Sequence, residues 1–368
     1  MELKDTTTKT DFNFIFLLVT LTVISLVNLY SASHSLVSTG TSRVFISQVV
    51  WFAAGWVLFL ALTFINFNFI KRLTWPIYVI NLGFLAIVPL VGKSFYGAQR
   101  WIDFGFFRFQ PSETMKIALV LALAAVLSKK LSKPSLNIKD LIPPVILLLI
   151  PFALTVIQPD LGTSLVMAAV AGSMALFVGI DKRILVSACI IGSFSLPVIW
   201  TYGLKGYQKQ RVYTFLNPGK DVRGGGYNSR QSKIAVGSGM FLGRGYRKGT
   251  QSQLEFLPER HTDFIFSVLS EEHGFIGSVF IVLLFLFLFL NIINIAQLSI
   301  DPYGTLVCIG VGAFIFWHFF INVSMITGML PIVGLPLPLL SYGGSSILTT
   351  MGALGLISSV ARKRSLFN

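Results

Sequence analysis

The sequence predicts an all-α, polytopic integral membrane protein of about ten transmembrane helices, with a large extracellular loop between the seventh and eighth. Three observations carry that expectation. Mean hydropathy is +0.75. Of 368 residues, 54% are hydrophobic and only 12% are charged, a composition far from that of soluble domains. Apolar windows of about 17 to 23 residues, long enough to cross a hydrocarbon core, recur along the chain and leave one gap as long as a small domain.

The spans are expected at 12–32, 44–66, 75–92, 113–128, 141–157, 161–179, 184–202, 274–293, 303–329 and 345–361. The first resembles a signal peptide in having Lys4 and Lys9 before it and "SAS" at 31–33 after it. Its apolar run exceeds the roughly 7 to 15 residues of a secretory core, so it reads as an uncleaved helix. Cys189 and Cys308 both fall inside apolar spans. They read as small buried hydrophobes, with neither a disulfide nor a metal site implied.

An even number of spans puts both termini on one side, and the excess of basic residues in short loops selects that side as cytoplasmic. Inner segments then carry Lys4, Lys9, Lys71, Arg72, Lys129, Lys130, Lys133, Lys139, Lys182, Arg183, Arg362, Lys363 and Arg364. The short outer loops hold Arg43, Lys93, Arg100 and Arg108. The long loop at 203–262 is exempt from that rule and strongly basic, with Lys205, Lys209, Arg211, Lys220, Arg223, Arg230, Lys233, Arg244, Arg247, Lys248 and Arg260 against Asp221, Glu255 and Glu259. Such a field suits anionic lipid headgroups or an anionic ligand. Within the loop, "GYNSRQSKIAVGSGMFLGRG" at 226–245 is too short to span and reads as a re-entrant or interfacial segment. Its glycines do not follow G-x-G-x-x-G, and no strand precedes them, which excludes a dinucleotide site. No feature points to nucleic acid or to an organic cofactor.

Ionisable groups in a membrane are costly and mark a cavity, a path or a site. In this orientation they gather at the outer ends of the spans. "RFQPSETMK" at 108–116 leads into the fourth span, where Glu113 and Lys116, spaced i,i+3, share a face and form either an ion pair or a substrate contact. "IQPDLGTS" at 157–164 places Asp160 where it would cap the sixth span, with a cavity-facing role open beside it. "FLPERHTDFIFSVLSEEHGF" at 256–275 crowds charges against an apolar run. Residues 274–293 alone suffice for the eighth span, so 263–272 is expected as a helical lead-in at its mouth. Asp263, Ser267 and Ser270 would form one polar stripe facing a cavity, although Asp263 or Thr262 would also serve as a helix cap. His318 and Asn322, spaced i,i+4 in the ninth span, read as an interhelical polar contact. "LPIVGLPLPLLSYGGSS" at 330–346 is a Pro/Gly-rich loop that covers a cavity or merely turns the chain.

The stretches "GTQSQLEFLPERHTDFIFSVLSEE" (249–272), "RWIDFGFFRFQPSE" (100–113), "QPDLGTS" (158–164), "YQKQRV" (207–212), "QSKIAVGSG" (231–239) and "LPLPLLSYGGSS" (335–346) closely resemble the SEDS proteins of bacterial cell-wall synthesis. The wording is nearer the rod-shape (RodA) branch than the division (FtsW) branch. The resemblance implies a ten-helix peptidoglycan glycosyltransferase that polymerises lipid II, and extends lipid-linked nascent glycan, on the outer face of the cytoplasmic membrane. It also implies a class B penicillin-binding protein as partner within the elongation machinery, and a divalent cation, Mg²⁺ or Mn²⁺. By the same resemblance Asp263 is the essential carboxylate, with Glu113, Lys116 and Asp160 functionally important.

The chemistry of joining lipid-linked sugars asks for a base and for cations. Asp263 is the expected base. Arg100, Lys116, Arg211, Lys233, Arg244 and Arg260 are candidates to hold diphosphates, and a metal ion would bridge diphosphate oxygens to Asp263 or Asp160. Two rivals stand beside this reading. A flippase carrying lipid II would need ionisable groups in both halves of the membrane, and a noncatalytic scaffold would tolerate loss of Asp263.

Overall fold

A computed structural model of the chain describes residues 2–34, 43–95, 98–105, 107–217 and 224–365, with side chains except at 2–11, 93–95, 98, 207 and 363–365. The expected loop charges Lys220, Asp221 and Arg223 lie outside the described residues, as do the side chains of Lys4, Lys9, Lys93, Lys363 and Arg364.

Among the described residues, ten helices are long and apolar enough to cross a membrane. They are α1 (Glu2–Ser33), α2 (Arg43–Phe64), α3 (Phe67–Val91), α4 (Pro111–Leu127), α5 (Ile138–Ile157), α6 (Leu161–Val178), α7 (Lys182–Val198), α11 (Ile265–Gln297), α12 (Pro302–Thr327) and α13 (Gly344–Ser365). Each expected span falls on one of them. The third begins earlier than expected, at Phe67, because Asn66 caps it by accepting from Asn68 N. Lys71 is tolerated in that first turn because its ammonium reaches Asp301 at 3.1 Å, just before α12.

Burial differs sharply between helices. In α4 apolar and small residues face every direction, and Met115, Ala118, Leu119, Val120, Leu121, Ala122, Leu123 and Ala124 are all buried. It is a core helix surrounded by neighbours. No residue of α7 is buried, so its apolar sides are left to lipid. Cys308 is buried as expected, whereas Cys189, on α7, is exposed.

Two elements depart from the all-helical expectation. A small antiparallel sheet is formed by β1 (Lys93–Phe95), β2 (Ala98–Asp103) and β3 (Arg108–Phe109). Its tight turn closes when Phe104 N donates to Phe107 O at 3.0 Å. The aromatic alternation in "RWIDFGFFRF" favours strand pairing, and periodicity over so few residues does not separate it from a loop. The long loop is also largely helical, with α8 (Gly206–Leu216), α9 (Gly225–Ser238) and the single turn α10 (Thr250–Gln253). Of the segment expected to be re-entrant, α9 packs against α11 and α12, where Ser232 Oγ donates to Ile326 O at 2.8 Å.

The lead-in to the eighth span is real, and Gly274 (φ 65°, ψ −158°) breaks α11 into a short segment and a long one. The break leaves backbone groups that the 239–245 turn satisfies. Arg244 N and Gly245 N donate to the carbonyls of Glu271 and Glu272, while Phe275 N and Ile276 N donate to those of Met240 and Phe241. So close an approach requires glycine: a Cβ on Gly239 would lie 2.0 Å from Ser270 O, and one on Gly243 2.1 Å from Glu272 O. The glycine spacing of "GSGMFLG" is thus a backbone docking device.

Candidate active site

One end of the bundle collects the starts of α4, α6 and α11, together with the loop helices. Two sets of ionisable groups stand there, one closed and one open.

The closed set begins on α4. Lys116 Nζ donates to Glu113 Oε1 at 2.8 Å and sits 2.8 Å from His318 Nε2 of α12. The side chains are shut away, Lys116 at 1% and Glu113 at 3% exposure. The ammonium also lies 4.9 Å from the Phe314 ring centroid. His318 Nδ1 is 3.3 Å from Pro336 O. A carbonyl only accepts, so Nδ1 carries the hydrogen and Nε2 accepts from Lys116. Lys116, expected among the diphosphate-holding cations, is therefore enclosed in an intramembrane ion pair.

The open set centres on Asp263. Its turn is fixed by Thr262 N and Phe264 N donating to Glu259 O at 3.1 and 3.3 Å. A second strap comes from the Pro/Gly-rich segment: Ser341 Oγ donates to Thr262 O at 2.6 Å, and Tyr342 N to His261 O at 2.8 Å. Phe264 stands at the N-cap of α11, with no side-chain cap bond. Capping therefore does not occupy the Asp263 carboxylate. Instead it lines a cavity of about 330 Å³ with Gln210, Arg211, Thr214, Phe215, Gly225, Ser229, Pro331, Ile332 and Gly334. Burial, and then the neighbouring Glu259 charge, push the carboxyl up to about 6, against the pull of Arg211 and Arg100.

The expected stripe on α11 is corrected. Ser267 and Ser270 are buried at 0% and 1% exposure. They face protein, Ser267 bonding Ser232 Oγ at 3.4 Å and Ser270 receiving Ser278 Oγ at 2.9 Å. Asp263 alone of the three reaches the cavity, because it lies in the turn before the helix.

The remaining candidates separate by what already engages them. Asp160 caps α6 by accepting from Thr163 N at 3.4 Å. It also accepts from Gln110 Nε2 at 3.4 Å and faces Arg100 at 3.6 Å. Arg100, held out on β2, additionally donates to the carbonyls of Gln158 and Pro159. Arg211 donates to Val333 O at 3.3 Å on the cavity wall. Lys233 is exposed and lies along Gly328, one turn of α9 beyond the cavity residue Ser229.

Two arginines expected near diphosphate are already engaged by protein groups. Arg244 donates to Thr250 Oγ1 at 2.9 Å and to Ser238 O at 3.3 Å. Arg260, 7% exposed, donates to Ala32 O at 2.7 Å and to Glu255 Oε1 at 2.9 Å. Charge sign alone gave no way to distinguish them from Arg211: the partners of Arg244 lie six residues to either side, and only Arg260 reaches a distant segment, at Ala32. Gln210, Thr214, Ser229 and Gly334 were not singled out from sequence, and only the fold brings these unremarkable residues to the cavity.

A cation held by protein alone does not fit these residues. Among the described residues no three His, Cys, Asp or Glu side chains converge. Asp160 is committed to Thr163, Gln110 and Arg100.

A second cavity, about 480 Å³, lies among α2, α3, α4 and α13 and is lined by residues such as Leu58, Leu73, Ile117, Leu121, Leu348 and Phe107. Its chemistry is that of a hydrocarbon chain.

Fold and site together define a class: a ten-span helical membrane protein with a sealed ion pair and a carboxylate-bearing cavity at one end of the bundle. The family model FTSW_RODA_SPOVE, described as "Cell cycle protein", matches residues 11–366, and the chain belongs to that family. It is similar to the peptidoglycan glycosyltransferase MrdB of Escherichia coli (strain K12), 40% identical over 293 residues that span 79% of this chain and 78% of the relative. The peptidoglycan glycosyltransferase RodA of Treponema pallidum (strain Nichols) is 34% identical, covering 95% of this chain and 97% of its own. Among solved structures, the Thermus thermophilus Rod shape determining protein RodA is 28% identical with a TM-score of 0.71, covering 96% of each chain. A chain in a structure reported as "Structural coordination of polymerization and crosslinking by a peptidoglycan synthase complex" is 29% identical with a TM-score of 0.82, covering 96% of this chain and 98% of that one.

Proposed function

We propose that this protein is a peptidoglycan glycosyltransferase that polymerises lipid II into β-1,4 glycan on the outer face of the cytoplasmic membrane during cell elongation. The observation that carries the reading is the Asp263 carboxylate, uncommitted to capping, in a cavity beside Arg211. A carboxylate pushed up to about 6 is ionised at neutral pH yet basic enough to share a proton in the transition state.

In the proposed step Asp263 takes the proton from the acceptor sugar's 4-hydroxyl as that oxygen attacks the donor's anomeric carbon. The new C–O bond forms while the bond to the polyprenyl diphosphate breaks, and the diphosphate leaves with its electron pair. A single displacement from an α-linked donor gives a β linkage, so the reaction inverts. Arg211 on the cavity wall and Arg100 nearby would stabilise the departing charge, with Lys233 further along α9. A divalent cation would arrive with the diphosphate, where Asp263 is the carboxylate it meets. The 480 Å³ apolar cavity has the chemistry to receive a polyprenyl chain.

The orientation rests on charge. At the end opposite Asp263, Lys130 and Lys133 flank Asp140 at 2.7 and 2.9 Å in a segment with Lys129 and Lys139, as a cytoplasmic face requires. On this reading both termini lie inside and Asp263 outside. Partnership with a class B penicillin-binding protein is supported by the likeness to a chain from a synthase complex that couples polymerisation and crosslinking.

The test is to purify the protein with its cognate penicillin-binding protein, supply labelled lipid II with Mg²⁺ or Mn²⁺, and separate the products by size. Polymer from the wild type and none from Asp263→Asn is expected. No polymer, combined with lipid II crossing a liposome membrane, would replace the enzyme with a transporter.

A further inference from the structure

Asn322 is fully buried at 0% exposure in α12. Its Nδ2 donates to Asp263 O at 2.9 Å and to Leu335 O at 2.7 Å. Both partners are carbonyls and only accept, which fixes the amide orientation. Its Oδ1 is buried without a hydrogen-bond partner among the described residues. An unsatisfied buried acceptor is costly, so the position exploits the two donors at the expense of the oxygen.

The two carbonyls belong to the two sides of the cavity. One is the backbone of the residue whose carboxylate does the chemistry. The other follows Gly334, whose α carbon lies so near that an added Cβ would stand 3.3 Å from Asp263 Oδ2. One turn earlier on the same helix face, His318 Nδ1 lies 3.3 Å from Pro336 O. His318 in turn meets Lys116 at 2.8 Å, which ties the strap to α4. Two consecutive carbonyls of an otherwise irregular segment are thereby fastened to α12, and one of the two fasteners also holds Asp263.

We propose that Asn322 is a positioning residue of this site: through its two amide hydrogens it locks the turn carrying Asp263 to the wall segment that the carboxylate faces. The proposal rests on the glycosyltransferase reading above and adds to it the part that sets the base's geometry. The amide donates to the main chain of Asp263 and leaves its carboxylate free for the substrate. A misplacement of a reacting group by about 1 Å costs on the order of 10²-fold in rate, and that is the loss expected when the lock is removed.

The experiment measures kcat, KM and the pH dependence of lipid II polymerisation, with thermal unfolding alongside, for wild type, Asn322→Ala, Asn322→Ser and Thr74→Val. Thr74 supplies the control, because it is equally buried and bonds Tyr303 at 2.7 Å on α12 away from the cavity. Asn322→Ala should lower kcat of the folded protein about 10²-fold with KM within about 3-fold. Water reaching the loosened turn should also move the acidic limb of the pH profile to lower pH. Asn322→Ser, with one donor left, should fall between, and Thr74→Val should lose stability alone. Wild-type kcat and pH profile in folded Asn322→Ala overturn the proposal, and so does failure of both Asn322 variants to fold, which would make the residue purely structural. If the wild type makes no polymer, it is the glycosyltransferase reading that fails.

Discussion

The Glu113–Lys116–His318 cluster and the Asp263 cavity occupy the same end of the bundle and are built in opposite ways. In the first, Lys116 is met by Glu113 Oε1 and His318 and the pair is sealed from solvent, with Lys116 and Glu113 at 1% and 3% exposure, although Glu113 Oε2 has no hydrogen-bond partner among the described residues. In the second, a carboxylate is left facing about 330 Å³ of space, with its turn held through the backbone instead of the side chain. A buried pair of the first kind contributes mainly through its mutual neutralisation. A carboxylate of the second kind has the geometry of a base. The two are joined by the segment at 335–336, which His318 and Asn322 both hold.

The sharpest way to break this contrast is Asp263→Asn. Polymerisation should fall by about 10² to 10⁴, the usual contribution of a placed base, while the protein remains folded. The sign for stability runs the other way. The folded carboxyl is pushed up to about 6 against about 3.9 unfolded, so ionisation opposes folding above that window. The asparagine variant should therefore be more stable than wild type by about 1 kcal/mol at pH 7 to 8, after allowing for solvent screening of a partly exposed group. That difference should vanish below about pH 4. Thermal unfolding across pH reads it directly. In the wild type, activity should be lost as pH drops through about 6, the value at which Asp263 takes up its proton.

In the closed cluster the expected loss is in folding. Lys116→Met strands a buried carboxylate and should cost about 3 to 5 kcal/mol. Removing both charges, with Glu113→Leu added, should recover most of that cost. A double variant that regains stability but stays inactive would show that the pair also does chemistry.

Arginine variants sharpen the comparison at smaller scale. Arg260→Ala removes a buried donor to Ala32 O and Glu255 and should destabilise by about 1 kcal/mol. Arg211→Ala should leave folding nearly unchanged and weaken use of lipid II, as steady-state kinetics would show. Gly334→Ala should have the mildest effect on activity. Its φ of +76° costs an L-residue about 1 to 2 kcal/mol, and the added methyl meets Asp263 Oδ2, so turnover should fall several-fold.

Much of the helical frame was legible because hydrocarbon thickness sets span length, and a run of the right length has few alternatives. The break at Gly274 could be anticipated by length: the apolar run from 274 was already long enough to cross. The sheet of β1, β2 and β3 was not legible, because strands this short carry too little alternation to register. Of the site, Asp263 stood out as a charge where charges are expensive, and motif wording reinforced it. Asp160 was read correctly as a cap, since capping is local and needs only the residues that follow.

What the sequence determined by itself, then, was whatever depends on near neighbours or on the solvent: ten spans, the basic side, the cap at Asp160 and the cluster of ionisable groups at one end. What only the tertiary structure decided was how each charge is used. Arg211, Arg244 and Arg260 are alike on the page, yet one lines a cavity while the others bind Thr250, Ser238, Ala32 and Glu255. Lys116 was sealed by a histidine 202 positions away, and Asp263 was fixed by an asparagine 59 positions away. Hydrogen bonds and desolvation act over a few ångströms in space, and no local pattern records which distant donor the fold will bring within reach.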